Sequence, residues 1–243
     1  RNMRFAIVNG ERHLPEKGIQ GAICPVCEKP VIARCGEIRA HHWAHAKGTD
    51  CSDSWSSGKE TDWHLAWKNE FPDEWQERVL TDSETGEKHI ADVLTDKNLV
   101  LEFQHSPIDP DERRAREAFY SKDGRSMVWI VDMRKIPNFL EKIQYLCHHK
   151  LFDLWYPIPL RPDKIFPKKW LMSSTIVLFD CNIIIDNKQS QIIISLIYDI
   201  RLNIFWFMCN YKKSIIYHAT QGTLIKHLIS SPKMKVKVVK NYR

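Results

Sequence analysis

The chain has 243 residues, of which 43% are hydrophobic, 27% charged and 11% aromatic, so a wholly disordered polymer is excluded and a sizeable core is expected. No apolar run reaches the roughly 18 residues of a membrane-spanning helix, and Arg1-Asn2-Met3-Arg4 is not followed by the hydrophobic region of a signal peptide. We therefore expect a cytoplasmic protein without a membrane partner. The net charge of +6 is uneven, because residues 151–243 hold 14 Lys and Arg against 5 Asp and Glu, which indicates a polyanionic partner such as nucleic acid.

Composition divides the chain into three predicted domains: residues 1–56, residues 57–150 and residues 151–243. The first is rich in Cys and His, and the second alternates helix and strand patterns. The third begins with a Pro-rich connection and continues with Ile-rich segments. Pro-rich linkers with few other signals are typical domain boundaries.

The sequence of the first domain predicts a small β structure around a metal ion. Short alternating segments at 5–8 and 30–34 are typical of strands. The spacing Cys24-Pro-Val-Cys27 allows two thiolates to reach one tetrahedral ion from a tight turn, and His42-Trp-Ala-His45 supplies the second pair. We expect a zinc ribbon with a structural zinc ion on Cys24, Cys27, His42 and His45.

Other ligand sets for this zinc ion remain open. His41 could replace His42, and Cys51 or Cys35 could replace a histidine. The alternative without metal is a set of free thiols in an ordinary core. Seven unevenly spaced cysteines favour metal binding over a disulfide framework, which implies reducing surroundings.

The sequence of the second domain predicts helices and strands in the order α-β-β-β-α-β-α. A Ser57-x-x-Glu60 capping box precedes aromatic residues at helical spacing, so a helix is expected from Lys59 to Phe71. The further predicted elements are strands at Gln76–Leu80, His89–Thr95 and Leu99–His105, a helix at Pro110–Tyr120, a strand at Met127–Asp132 and a helix at Pro137–Cys147.

Two carboxylates are predicted to face each other on neighbouring strands. If Asp96-Lys97-Asn98 forms the loop of a hairpin, the register places Asp92 opposite Glu102. Gln104 shares a face with Glu102 because side chains alternate along a strand. Facing carboxylates need a cation between them, and their oxygens suit Mg²⁺ or Mn²⁺. The alternative is a pair of solvent-facing acids on an edge hairpin.

One stripe of the preceding helix carries Glu60, His64 and Lys68 at spacings of four residues. Together these residues could place a third carboxylate and two donors over the hairpin. Each also has an ordinary interpretation: Glu60 completes the capping box, His64 covers the sheet and Lys68 is solvated.

The sequence of the third domain predicts a β-rich fold and contains no recognisable motif. Its expected elements are strands at Thr175–Phe179, Ile183–Ile185, Gln191–Ile200, Ile204–Cys209 and Ser214–Tyr217 and a short helix at Thr223–Ile229. A final basic segment carries Lys233, Lys235 and Lys237 in strand-like alternation. Such a row either follows a phosphate backbone or protects a sheet edge from aggregation.

These motifs together resemble a known family. Glu60, Asp92 and Glu102-x-Gln104 on successive elements resemble the PD-(D/E)xK nuclease superfamily. Cys24-Pro-x-Cys27, His42-Trp-Ala-His45, Glu60-Thr-x-x-His64 and Glu102-Phe-Gln-His-Ser106, in this order, resemble the competence protein CoiA family over residues 1–150. The resemblance implies an α/β (α+β), restriction-endonuclease-like core that acts on DNA. Its expected role is DNA processing or recombination during natural transformation, with recombination or DNA-uptake proteins as partners, or a role in defence.

On this resemblance, the chain is a divalent-metal-dependent deoxyribonuclease. Asp92 and Glu102 hold Mg²⁺, Glu60 completes the metal shell or acts through water, and Gln104 positions the attacking water. His64 and Lys68 contact phosphate. Gln104 stands where many members of the superfamily have lysine, and Lys68 or Lys88 could supply that charge. The rival interpretation is a DNA-binding recombination adaptor that keeps the fold without the chemistry, and a third is a zinc-ribbon interaction protein without DNA.

Overall fold

We analysed a computed structural model of the chain. The structure describes residues 2–53, 55, 60–133 and 167–180, and the backbone of the strands at 150–151, 154–155, 183–187, 190–199 and 204–210. The chain forms two compact units, one comprising residues 1–132 with 173–175 and the other residues 133–172 with 176–243. The three predicted domain boundaries stay predictions.

The N-terminal part of the first unit consists of short strands, as the alternating segments predict. Strands β1 (Asn2–Met3), β5 (His42–His45) and β4 (Val31–Arg34) form a three-stranded antiparallel sheet in that order. Strands β2 (Ala6–Val8) and β3 (Glu11–His13) form a separate hairpin. Their apolar side chains pack into one core around the fully buried Trp43.

Helix α1 spans Asp62–Lys68 and is shorter than predicted. The capping box is formed by Thr61 and His64, and not by Ser57 and Glu60, so Glu60 precedes the helix. Ser57 lies outside the described residues. Helix α1 buries Trp63 and Trp67, as their spacing predicts, and a 3₁₀ turn at Asp73–Trp75 follows.

Three antiparallel strands follow α1, and their register matches the predicted hairpin. They are β6 (Gln76–Thr81), β7 (Lys88–Leu94) and β8 (Leu99–Gln104). The β7–β8 pairing joins Val93 to Leu101, and the Thr95 N–H donates to the Leu99 carbonyl at 3.0 Å. Asn98 closes the three-residue loop in the left-handed region, at φ 57°, as such hairpins require.

Helix α2 (Pro110–Tyr120) and strand β9 (Ser126–Asp132) complete the predicted order α-β-β-β-α-β. The Asp109 carboxylate caps α2 by accepting from the Asp111 N–H at 2.8 Å, and Pro110 occupies the first turn. Strand β9 pairs parallel with β8. Residues 99–103 of β8 are all buried, as expected for a strand in the interior of a sheet.

The second unit is rich in strands, as its sequence predicts. It contains β10 (Lys150–Leu151), β11 (Leu154–Trp155), the short helix α3 (Lys168–Leu171), β12 (Ile176–Asp180), β13 (Ile183–Asn187), β14 (Ser190–Asp199) and β15 (Ile204–Asn210). Strand β14 is antiparallel to β12, β13 and β15. The predicted elements at 137–147, 214–217 and 223–229 and the basic segment with Lys233, Lys235 and Lys237 lie outside the described residues.

Across the part of the chain that the structure describes, no helix has the length and apolar character needed to cross a membrane.

Candidate active site and metal centre

Four side chains near the N-terminus form a group with the donor set of a zinc site. The ligand atoms of Cys24, Cys27, His45 and Cys51 all lie within 4.8 Å of one another. Cys27 Sγ is 3.2 Å from His45 Nε2, and Cys24 Sγ is 3.9 Å from Cys51 Sγ. Three thiols and one imidazole match the ligands and number of a structural zinc site. This group could therefore bind zinc.

The tight turn after Cys24 positions the first two ligands. The Glu28 N–H donates to the Cys24 carbonyl at 3.0 Å, and the Val26 N–H lies 3.5 Å from Cys24 Sγ. Burial raises the pKa of the Cys24 thiol to about 12. A buried thiol of this kind ionises only with a cation beside it, which a bound Zn²⁺ would supply.

The structure corrects the predicted ligand set at one position, since Cys51 and not His42 joins Cys24, Cys27 and His45. His42 and His45 lie three residues apart on β5, so their side chains point to opposite faces of the strand. The His42 ring instead contacts the Ala40 carbonyl through Nδ1 at 2.9 Å. The sequence contains Cys51 as an alternative ligand, but its spacing gives no reason to choose it.

The six predicted catalytic residues line one open pocket of about 160 Å³ in the first unit, which we call the site pocket. They are Glu60, His64, Lys68, Asp92, Glu102 and Gln104. Trp55, His105, Glu112 and Arg116 contribute to the same lining. The sequence therefore predicts the location of this pocket, although several contacts within it differ from the prediction.

Lys68 lies at the C-terminal end of α1 among three carboxylates. Its Nζ is 2.8 Å from Glu60 Oε1, 2.8 Å from Glu77 Oε1 and 3.4 Å from Asp92 Oδ1. The side chain is only 4% exposed. An ammonium group has three N–H donors, and here three carboxylates surround them. The described contacts of Lys68 are thus with carboxylates, and its predicted contact with phosphate stays a prediction.

Glu77 is a member of this cluster that the sequence analysis did not identify. It lies on β6 between the pairs Gln76 with Val93 and Arg78 with Ala91, which sets it opposite Asp92. Its φ of 45° is in the left-handed region, which costs a non-glycine residue on the order of 1 kcal/mol. This backbone conformation accompanies a buried carboxylate that binds Lys68, and its other oxygen accepts from the Arg4 N–H at 2.7 Å.

Asp92 and Glu102 meet as the hairpin register predicts. The Asp92 N–H donates to Glu102 Oε1 at 3.0 Å, and the Phe103 N–H donates to Asp92 Oδ2 at 3.0 Å. Glu102 is 3% exposed and the Asp92 side chain 16% exposed. The alternative of two solvent-facing acids is therefore wrong, since one carboxylate is buried and both contact the backbone of the neighbouring strand.

Arg116 on α2 is the cation that balances Glu102. Its Nη1 lies 3.2 Å from Glu102 Oε2, while its Nε donates to Glu112 Oε1 at 3.0 Å. Burial alone would lower the pKa of Arg116, but the negative charges of Glu102 and Glu112 raise it overall. The guanidinium also donates to the Trp55 carbonyl. The sequence marks Arg116 only as one of several arginines on α2.

His64 and Gln104 contribute differently to the site pocket. His64 Nε2 donates to the Phe103 carbonyl at 3.0 Å, and its Nδ1 lies 2.9 Å from Thr61 Oγ1. Burial lowers the pKa of His64. The predicted contact of His64 with phosphate stays a prediction. Gln104 Nε2 donates to the Ser106 carbonyl at 2.6 Å, and its Oε1 keeps its capacity to accept.

Carboxylates outnumber cationic groups in the lining of the site pocket. Among the described residues of the lining, Glu60, Asp92, Glu102 and Glu112 are four carboxylates, and Lys68 and Arg116 are the Lys and Arg side chains. A carboxylate oxygen that accepts one hydrogen bond still has a lone pair for a second partner. The donor set therefore fits a hard divalent cation, which oxygen ligands on rigid strands select.

Comparison with protein families gives two matches. The model of the competence protein CoiA N-terminal domain matches residues 17–54, which include all four side chains of the cysteine and histidine group. The model of the competence protein CoiA nuclease-like domain matches residues 85–189, which include Asp92, Glu102 and Gln104.

No curated protein and no solved structure shows significant similarity to the chain. The two family matches have the order that the sequence motifs predict, and a nuclease-like domain fits the PD-(D/E)xK resemblance. The nuclease-like match extends beyond residue 150, where the predicted resemblance ends, and the segment with Glu60, His64 and Lys68 lies between the two matches. The chain therefore belongs to the competence protein CoiA family.

Proposed function

We propose that the chain is a divalent-metal-dependent deoxyribonuclease with a PD-(D/E)xK core. The observation that carries this proposal is the pair Asp92 and Glu102, which meet in the site pocket of a nuclease-like domain. The order α1, β6, β7, β8, α2, β9, with β8 and β9 parallel, is the arrangement expected of a restriction-endonuclease-like core.

Asp92 and Glu102 would hold Mg²⁺ or Mn²⁺, with Glu60 as a further carboxylate in the same pocket. When bound, such an ion lowers the pKa of a coordinated water and neutralises charge on the scissile phosphate. The surplus of carboxylates in the site pocket supports this assignment. A protein that only binds DNA gains nothing from buried acids that repel phosphate.

The residues around Asp92 and Glu102 hold these two carboxylates in position. Lys68 holds Asp92, Glu60 and Glu77 in one cluster, and Arg116 fixes the second oxygen of Glu102. Residues held by packing and hydrogen bonds keep a site within the narrow geometric limits that catalysis needs. Gln104 offers Oε1 to orient the attacking water. In this assignment Lys68 acts on the carboxylates and not on the phosphate.

DNA is the proposed substrate and partner. The CoiA family name refers to competence, so we propose a role in processing DNA during transformation, together with recombination or DNA-uptake proteins in the cytoplasm. The basic residues 151–243 would add affinity through phosphate contacts without reading bases. The Cys24 group would hold a structural zinc ion, because four protein ligands leave no open position for substrate.

A second candidate function is a DNA-binding adaptor without catalytic activity. One observation favours it: Lys68 and Arg116 already pair with Asp92 and Glu102, so the carboxylates are partly neutralised without a metal ion. Gln104 in place of lysine also favours the adaptor, because a neutral amide supplies no positive charge to stabilise the transition state.

A cleavage assay separates the two functions. The zinc-loaded full chain is incubated with supercoiled, linear and single-stranded DNA in Mg²⁺, in Mn²⁺ and in EDTA. The proposal predicts cleavage of at least one form with Mg²⁺ or Mn²⁺ and none with EDTA. DNA binding without cleavage in any of these conditions would contradict the nuclease and support the adaptor.

A further inference from the structure

A histidine at the site pocket forms a hydrogen bond with a carboxylate behind it, and neither residue has a part in the assignment above. His105 Nδ1 is 2.6 Å from Asp132 Oδ2. The Asp132 side chain is 2% exposed, whereas His105 is 17% exposed and lines the site pocket. The carboxylate is therefore buried behind the ring, and the ring is in contact with the space where substrate would bind.

The fold holds this pair in place. His105 directly follows β8 and Asp132 ends β9, and the parallel register that pairs Gln104 with Val131 brings the next residues side by side. The ring of Trp63 lies 6.2 Å from the His105 ring, centroid to centroid, and the His64 ring lies 5.9 Å away. These contacts restrict rotation of the imidazole.

The hydrogen bond to Asp132 determines which nitrogen of His105 is basic. A carboxylate only accepts, so Nδ1 carries the proton and Nε2 of the neutral ring carries the lone pair. Among the residues that the structure describes, none forms a hydrogen bond with His105 Nε2. A histidine that donates from Nδ1 to a buried carboxylate and keeps the lone pair on Nε2 has the arrangement of a general base.

We propose that His105 is a catalytic residue of the DNA hydrolysis and that Asp132 is its positioning residue. This inference rests on the proposed function. It assigns the group that takes a proton from the attacking water, a role that is unassigned because Gln104 stands in place of lysine. His105 is three residues beyond Glu102 and one beyond Gln104, and all three residues line the site pocket.

The reaction balances as a hydrolysis. A lone pair of the water oxygen forms the new bond to phosphorus while one water proton moves to His105 Nε2. The bond between phosphorus and the leaving oxygen breaks, its electron pair stays on that oxygen, and solvent supplies the proton that completes the alcohol. Asp132 stabilises the transient imidazolium through the Nδ1 hydrogen bond, and the ring then returns its proton to solvent.

Two variants test the role of His105. His105→Gln preserves a side-chain donor for Asp132 but accepts no proton at a ring nitrogen, and His105→Gly opens a space for added imidazole. General-base catalysis contributes about 10²–10⁴-fold, so both variants should lose about that factor in kcat with little change in KM. Imidazole should restore part of the His105→Gly rate.

Three controls accompany these variants. Imidazole should not restore Asp92→Asn, whose defect is not a missing base, and it should not change the rate of His13→Gly, a variant at the end of β3 and outside the site pocket. Asp132→Asn should reduce kcat less than His105→Gln and should also fail to respond to imidazole. Melting temperatures show whether each variant is folded.

The outcomes are distinct. A His105→Gln variant that cleaves at the wild-type rate, or a His105→Gly variant that imidazole does not restore, overturns the role of His105 while the nuclease assignment stands. If the wild type cleaves no DNA with any metal, the proposed function is wrong and the role of His105 fails with it.

Discussion

Asp92 on β7 and Glu102 on β8 are held together by two hydrogen bonds, each from a backbone N–H of one strand to the carboxylate on the other. The Asp92 N–H donates to Glu102 Oε1 at 3.0 Å, directly beyond the last regular pair of β7 and β8, Val93 with Leu101. The Phe103 N–H in turn donates to Asp92 Oδ2. Each carboxylate therefore takes a position that a backbone carbonyl would occupy in a regular ladder, and the two strands fix both acids relative to each other.

This fixed pair leads to a prediction for metal binding. The zinc-loaded wild type should bind Mn²⁺ in the site pocket, and Asp92→Asn or Glu102→Gln should weaken that binding, because each removes a charged oxygen ligand. Asp96→Asn is the matched control, since Asp96 lies exposed in the loop of the same hairpin. Electron paramagnetic resonance of bound Mn²⁺ measures the effect. Equal binding by wild type and Asp92→Asn would place the ion elsewhere.

Lys68 should be important for stability independently of catalysis. Lys68→Met removes the cation from three carboxylates, of which Glu77 is buried. Breaking a buried ion pair costs about 3–5 kcal/mol, because the remaining charge is left uncompensated. Denaturant unfolding of the variant should show a loss of that size in the free energy of unfolding.

The control for this measurement is Lys88→Met. Lys88 is 39% exposed and lies 3.8 Å from an exposed Glu28, and exposed pairs contribute at most about 1 kcal/mol. Equal effects of the two substitutions would show that the carboxylates around Lys68 are not buried as described.

The hairpin illustrates what the sequence can predict. A three-residue loop between two apolar strands permits one register, and this register brings Asp92 and Glu102 together. The positions of Glu77 and Arg116 follow from no local pattern. Glu77 takes its position because its own backbone has a left-handed conformation within β6. Arg116 takes its position because of how α2 packs against the sheet. Long-range packing, and not spacing, selects these partners.

The zinc ligands illustrate the same limit. The Cys24 and Cys27 pair is local and was predictable, whereas the fourth ligand depends on the chain path after β5. We predict that Cys51→Ser lowers the zinc content of protein purified without chelators and lowers the melting temperature, because metal binding contributes to folding. His42→Ala should keep one zinc ion per chain. Elemental analysis that shows the reverse pattern would restore His42 as the ligand.

Glu117 gives a prediction for pH dependence. Burial alone would raise its pKa, but hydrogen bonds from the Ser173 hydroxyl, the Ser174 N–H and Arg113 lower it below the ordinary 4.5. The unfolded chain therefore binds more protons than the folded chain between these two pKa values. The contribution of Glu117 to stability is fully present above pH 4.5 and is lost as the pH falls through the folded-state pKa.

The substitution Glu117→Gln tests this sign. Its free energy of unfolding should be lower than that of the wild type at neutral pH, and the difference should shrink as the pH falls below 4.5. Glu70→Gln, at an exposed position, should show little difference at either pH. Denaturant unfolding at several pH values measures both variants. A Glu117→Gln difference that is constant with pH would show that the charge contributes nothing.

The central claim is that Asp92 and Glu102 support metal-dependent hydrolysis of DNA. Its most direct test is the single-turnover cleavage rate with Mg²⁺ for the wild type, Asp92→Asn and the loop control Asp96→Asn. We predict that Asp96→Asn cleaves at the wild-type rate, while Asp92→Asn binds DNA at least as tightly and does not cleave it, because one repulsive charge and one metal ligand are gone. Cleavage by Asp92→Asn at the wild-type rate would contradict the account.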